Sequence, residues 1–113
     1  ARVLSRDAVR VMTTDQIPGV PAEVLGFERA EASWGYGFGI TTTHPWLRFA
    51  GGTVPIGSIR HGGAGGVDVW IDPHLGIVGV YVEMVTEWSD EYGPESWAAH
   101  RFEDIVTAAV LGP

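Results

Sequence analysis

"IRHGGAGGVDVWIDPHLGIVGVYVEMV" (Ile59 to Val85) holds three kinds of backbone signal in one run. Ser58 to His61 reads as extended chain leading into Gly62, Gly63, Gly65 and Gly66, which surround Ala64. Val67, Val69 and Ile71 then alternate with Asp68, Trp70 and Asp72, the period-two pattern of a half-buried antiparallel strand. Pro73 is pre-set for a turn corner and Gly76 is free to take positive φ, so "DPHLG" closes a tight connection. Ile77 to Val85 is apolar on both faces, which predicts a strand covered from both sides. The centre of the chain is therefore a β-hairpin preceded by a glycine cluster.

Towards the N-terminus, "VLSRDAVRVMTTD" offers Ser5 as the cap of a short helix over about Arg6 to Met12, with Leu4 and Val9 spaced for a hydrophobic staple. "QIPGVPAEVLGFE" carries two prolines and two glycines and reads as an extended connection. In "ASWGYGFGITTTH" glycine recurs at every second position from Gly35 to Gly39, which predicts a strand with one face bare of side chains. "PWLRFAGGTVPIG" reads as a returning loop, and "TEWSDEYGPE" as an acidic, turn-rich segment ending at the potential cap Ser96. Ala98, Phe102, Ile105, Val106, Ala109 and Val110 then recur at helical spacing, so Trp97 to Leu111 is an amphipathic helix closed by Gly112 and Pro113. The expected fold is α+β: an antiparallel sheet of three to four strands packed against a C-terminal helix, with a short N-terminal helix, in a single domain over residues 1–113.

At 113 residues, with 45% hydrophobic and 19% charged residues, the chain has a folding composition and the length of one domain. Its net charge of -7 repels phosphate backbones and anionic surfaces, which disfavours nucleic acid as a partner. The absence of Cys excludes disulfides and thiolate chemistry, and leaves the compartment unindicated. The absence of Lys excludes Schiff-base chemistry, a Walker-type lysine and a Ser-Lys catalytic pair within these residues. The longest nearly unbroken apolar run, Gly76 to Val82, is far too short for a membrane span. The chain opens without Met inside a helix entry, which reads as a processed product or an excised piece.

The glycine cluster has three readings. It is a tight turn or bulged strand, a phosphate cradle, or an oxyanion hole in which a bare backbone N–H faces a developing alkoxide. The missing lysine and the negative charge count against the cradle. "HGGA" superficially matches the His-Gly-Gly-Gly donor loop of lipases, but none of the five serines sits in the Gly-x-Ser-x-Gly elbow which that family needs. A Ser58–His61–Asp68 triad is one of many combinations the composition allows. His44, His61, His74 and His100 show no paired metal-ligand spacing, and no metal or other cofactor is expected. Trp34, Trp70 and Tyr81 read as core and groove walls, and Glu87 to Glu95 as a solvated loop whose Trp88 and Tyr92 are placed to line a cleft.

The succession "LSRDAVRVMTTDQIPG", "WGYGFGI", "IRHGGAGGVDVWIDPHLGIVGVYVEM" and a terminal amphipathic helix resembles the C-terminal part of the β-lactamase-like serine hydrolases. That family includes class C β-lactamases, D-alanyl-D-alanine carboxypeptidases and related esterases, and the resemblance covers nearly the whole chain. It implies that these residues are part of a larger β-lactamase-like α/β domain. By this resemblance His61 occupies the position of the family's strand lysine or histidine, Gly62 that of its hydroxyl residue, and Gly63 that of its glycine. The backbone N–H of Ala64 then falls at an oxyanion donor, with Gly65 beside the substrate. Gly62 departs from the family pattern by lacking a hydroxyl for a substrate carboxylate, which favours small ester- or amide-like substrates over β-lactams.

The family's Ser-x-x-Lys nucleophile and Tyr-x-Asn base cannot exist in a chain without Lys or Asn, so the isolated chain is expected to be inactive. The resemblance thus implies the C-terminal fragment of a serine hydrolase. The alternative is a non-catalytic binding or assembly module of the same fold. Either way the strand from Ile77 to Val85 is expected to leave an open edge and one poorly covered face, the edge to be filled by the missing N-terminal part or by a second copy.

Overall fold

The computed structural model describes residues 3–24, 27–43, 53–63, 65–84 and 97–112. His44, Ala64, Val85, the acidic segment with Trp88 and Tyr92, the cap Ser96 and most of the "PWLRFAGG" loop lie outside the described residues.

Helix α1 (Arg6–Met12) starts where its cap predicts: the Ser5 Oγ accepts the Ala8 N–H at 3.0 Å. None of its residues is buried, and Leu4 and Val9 of the expected staple both stay nearly half exposed. After the helix, Asp15 ties the segment together. Its Oδ1 accepts the N–H groups of Ile17 and Trp34, and its Oδ2 the hydroxyl of Ser33. Partial burial raises the Asp15 carboxyl, but these hydrogen bonds outweigh it and hold it below the usual carboxylate value.

Two sequence expectations fail here for identifiable reasons. The supposed extended connection contains a small hairpin, β1 (Ala22–Val24) against β2 (Phe27–Arg29), because the second proline stands ahead of the paired residues and removes no ladder donor. "WGYGFGI" is a tight turn leading into β3 (Gly39–Ile40), not a strand with a bare face. The Gly35 N–H donates to the Phe38 carbonyl, Gly37 takes φ +88°, and the Tyr36 N–H donates to the Met12 carbonyl at the end of α1. A Cβ at Gly35 would run into that same Met12 carbonyl. The alternating glycines thus serve a positive φ and a close backbone approach.

The main sheet has the order β3-β4-β5-β6, all antiparallel, with β4 (Ile59–Gly63), β5 (Val67–Asp72) and β6 (Ile77–Val82) joined by two hairpins. At the first turn Gly66 takes φ +91° and donates its N–H to the Gly63 carbonyl. At the second, the Asp72 Oδ1 accepts the N–H groups of His74 and Leu75, and Gly76 takes φ +68° as expected.

Register assigns the two faces. Arg60 pairs with Trp70 and Trp70 with Gly79, so these lie on the inner face, under α2 (Trp97–Leu111). The Trp70 indole lies directly on Gly79, where a Cβ would overlap the ring. Phe102 of α2 meets Trp70 edge-on at 5.8 Å and tilts over Tyr81 at 5.5 Å.

The helix packs by a different row from the one its hydrophobicity predicts. Ala99, Glu103 and Thr107 are buried, while Phe102, Ile105 and Val110 remain exposed. The reason is Arg60, which is 4% exposed beneath the helix and needs a counter-charge. Its Nη2 lies 2.8 Å from the Glu103 Oε2 and 3.2 Å from the Asp68 Oδ2. Turning Glu103 inward supplies that charge and leaves Ile105 and Val110 outward, while Phe102 stays at the rim of the interface against Trp70 and Tyr81.

The outer face is covered on one half only, which fits the poorly covered face expected of the chain on its own and not a strand covered from both sides. Ile40 and Ile59 are buried there, but β6 is not covered from both sides: Val78 and Val82 are 67% and 69% exposed, and Val80 is more than half exposed. Among the described residues β6 is also an edge strand. No described helix is long and apolar enough to cross a membrane.

Candidate active site

The candidate residues lie where β4 outruns its neighbour. β3 pairs only with Ile59 and Arg60, so along His61, Gly62 and Gly63 the β3-side edge of β4 has no strand beside it among the described residues. On its other side the same stretch is held by β5, with His61 opposite Val69, Gly62 opposite Asp68 and Gly63 opposite Val67. His61 projects from the outer face and is exposed, and its ring stands 5.9 Å from Trp34 at 70°. Trp34 is held from behind by Asp15 through its N–H. Among the described residues the imidazole has one aromatic wall, Trp34, and is otherwise exposed.

The glycines separate into two kinds. Gly66 is required by its positive φ. A Cβ on Gly62 would meet nothing closer than the Val67 carbonyl at 3.9 Å, one on Gly63 would come to 3.7 Å of Val67, and one on Gly65 would meet nothing within 4 Å. None of these three has positive φ. Among the described residues nothing requires the absence of a side chain at Gly62, Gly63 or Gly65, and what they leave is bare, exposed backbone. Ala64, between them, lies outside the described residues.

The alternative constellations come apart. Ser58 is 1% exposed, and His61 and Asp68 point from opposite faces of the sheet, so the Ser58–His61–Asp68 set is not brought together. His74 turns its Nε2 to the Ile56 carbonyl at 3.0 Å, and His100 sits on α2 by Arg60 and Asp104. These two and His61 occupy three separate places, and the described residues contain no cluster of three or more metal-ligating side chains.

The sequence reading passed over Arg60 and Glu103. Arg60 immediately precedes His61, and the two point to opposite faces: one into the buried ion cluster, the other to the candidate site. Burial pushes the Asp68 carboxyl above its usual value against the pull of Arg60. Burial, aided by Arg60, pushes His100 below its usual value against the pull of Asp104. An arginine that alternates with Ile59 and His61, on the face opposite to theirs, was the available signal, since a buried guanidinium requires a carboxylate elsewhere in the chain.

The arrangement is similar to a solved protein. A crystal structure of a β-lactamase from Mycobacterium bovis matches 96% of this chain with a TM-score of 0.75 and 22% identity. The match takes in 39% of that protein, so the chain spans well under half its length. No protein-family model matches the sequence, and no curated protein matches it. The chain has a β-lactamase-like α+β fold.

Proposed function

We propose that the chain supplies the oxyanion wall of a serine hydrolase whose nucleophile lies outside these 113 residues. The observation that carries this reading is the bare stretch Gly62, Gly63 and Gly65, whose glycines are not required by their φ angles or by packing against the described residues. Backbone cleared of side chains on an open strand edge suits the close approach of a substrate. The β-lactamase-like fold supports the same reading.

In this reaction a serine oxygen adds to the carbonyl of an ester or amide, and the carbonyl oxygen takes up the negative charge. The Ala64 N–H donates to that oxyanion, and His61 orients or polarises the substrate against Gly62, Gly63 and Gly65. Collapse expels the protonated alcohol or amine and leaves an acyl-enzyme, which water then hydrolyses. Gly62 offers no hydroxyl to a substrate carboxylate, which favours neutral esters and amides. With Ser58 and Ser33 both buried, the described serines offer no ready nucleophile beside His61.

The test compares the 113-residue chain with the product extended by its upstream coding sequence. The short chain is expected neither to hydrolyse p-nitrophenyl butyrate nor to be labelled by a fluorophosphonate. The extended product is expected to do both at a serine in Ser-x-x-Lys, and Ala64→Pro, which removes the N–H, should lower its kcat by about 100- to 1000-fold. An upstream sequence without that serine, or labelling of the short chain, overturns the proposal.

The open edge and uncovered valines of β6 favour a second reading, a binding or assembly module with no chemistry.

A further inference from the structure

We propose that Asp15 and Trp34 are positioning residues for His61: Asp15 fixes the backbone of Trp34, and the Trp34 ring fixes the imidazole beside the bare edge of β4. Its consequence for catalysis rests on the hydrolase reading, whereas the relay itself is a property of these 113 residues.

The far end of the relay is a hydrogen-bonded block. Four hydrogen bonds join residues 12–16 to residues 33–36. The Asp15 Oδ2 accepts the Ser33 hydroxyl at 2.8 Å and its Oδ1 accepts the Trp34 N–H at 3.1 Å. The Gln16 N–H donates to the Trp34 carbonyl at 2.8 Å, and the Tyr36 N–H to the Met12 carbonyl at 3.0 Å. Both backbone polar groups of Trp34 therefore go to the segment that follows α1. Partial burial raises the Asp15 carboxyl, but its hydrogen bonds outweigh this and lower it, so it stays an ionised acceptor whose bonds are of the stronger, charge-assisted kind. Ala32 and Ser33 are buried, and Gly35 sits too close to the Met12 carbonyl to carry a Cβ, which restrains the backbone on either side of Trp34. α1 buries none of its own residues; what its end contributes is this anchorage.

The near end is a ring contact. Among the described residues the exposed His61 imidazole has no hydrogen bond and one ring partner, Trp34, at 5.9 Å and 70°. Trp34 bridges to Gly39 and Gly39 pairs with Arg60, so a residue without a side chain separates the Trp34 backbone from β4. A histidine on an exposed strand end exchanges among staggered rotamers unless something selects one. An edge-to-face pair favours one orientation by about two- to tenfold. The angle of the imidazole to Gly62 and Gly63 is thus set from the end of α1, not from β4 itself.

NMR of the isotopically labelled 113-residue chain reads the relay at His61. The wild-type chain should show nuclear Overhauser contacts between the Trp34 indole and the His61 ring, and a ring-current displacement of the His61 signals that Trp34→Leu removes. Asp15 makes no contact with His61, yet Asp15→Ala should remove at least half of that displacement, and Asp15→Asn, which keeps one acceptor oxygen, should remove less. The His74 ring, docked on the Ile56 carbonyl, should keep its signals in every variant, which separates a relay from general loosening. Adding Asp15→Ala to Trp34→Leu should move His61 no further. If Trp34→Leu or Asp15→Ala does not fold, Trp34→Phe and Asp15→Asn give the same comparison beside the wild-type Overhauser contacts. In the upstream-extended product, Trp34→Leu and Asp15→Ala should each lower kcat/KM for p-nitrophenyl butyrate by about two- to tenfold, with Trp34→Phe recovering most of the loss. Missing ring contacts, His61 signals that ignore Asp15, or unchanged kcat/KM in an active extended product each overturn the positioning role. An extended product that hydrolyses nothing, while the His61 signals still follow Asp15, overturns the hydrolase reading and leaves the relay standing.

Discussion

Replacing Arg60 with Met should show how strongly the helix–sheet junction depends on charge. Arg60 and Glu103 are 4% and 1% exposed, so water does little to screen either, and their contact is 2.8 Å. Removing one partner of a buried pair costs about 3–5 kcal/mol, because the other charge is left in a poor solvent. A chain of this length has about 6–17 kcal/mol in total, from roughly 0.05–0.15 kcal/mol per residue. Arg60→Met should therefore remove about a sixth of the stability at the least, and most of it if the total lies at the low end. With an m-value of about 2 kcal/mol per molar urea, the unfolding midpoint falls by about 2 M. Replacing the pair together, Arg60→Met with Glu103→Leu, removes the two most deeply buried charges but leaves Asp68, 15% exposed, without its Arg60 contact, so stability should recover most of the loss and settle about 1–2 kcal/mol below wild type. Urea titration followed by tryptophan fluorescence reads all four corners of the double-mutant cycle. A loss below about 1 kcal/mol for Arg60→Met, or additive single effects, would refute the view that this pair sets the rotation of α2.

Two further predictions use the same titration. Gly62→Ala should leave stability within about 0.5 kcal/mol of wild type, whereas Gly66→Ala, at φ +91°, should cost about 1–2 kcal/mol, and Gly79→Ala, which drives a methyl into Trp70, about 1–3 kcal/mol or more. A loss at Gly62 equal to that at Gly66 would mean that the fold itself requires the bare edge. His100 is held below its ordinary value of 6.5, first by burial and then by Arg60. The unfolded chain therefore binds a proton that the folded chain refuses, and stability falls as pH drops from 6.5 towards the depressed folded value. His100→Gln should flatten that limb of the stability–pH curve, and an unchanged limb would exclude His100 as its source.

The elements set by local chemistry were legible in the sequence. The Ser5 cap, the Asp72–Gly76 turn, the valine alternation of β5 and the bounds of α2 each follow from residues within a few positions of one another. What stayed hidden depends on distant partners. The inward row of α2 is dictated by Arg60, 43 positions before Glu103, and no helical periodicity within α2 contains that information. The period-two glycines imitate a strand, but Gly35 is fixed by the end of α1 and Gly37 by a turn. For the site, His61 and the glycine cluster could be named, but not which glycines the fold itself requires. That distinction needs the neighbours of each absent Cβ, which only the folded chain supplies.

The adjacency of Arg60 and His61 makes β4 a strand that resists slippage. Hairpins with a flexible glycine turn are prone to shift by one residue, since most of their ladder bonds reform after the slip. In β4 such a shift would carry the guanidinium to the valine side, away from both carboxylates, and would swing the imidazole beneath the helix. No other residue between Ile59 and Gly63 carries a full charge, so this one side chain tells the correct alignment from its neighbours. The glycine-rich backbone is thus indexed by an ion pair on the opposite face of the sheet. Substrate-facing geometry on one side would be inherited from salt-bridge chemistry on the other.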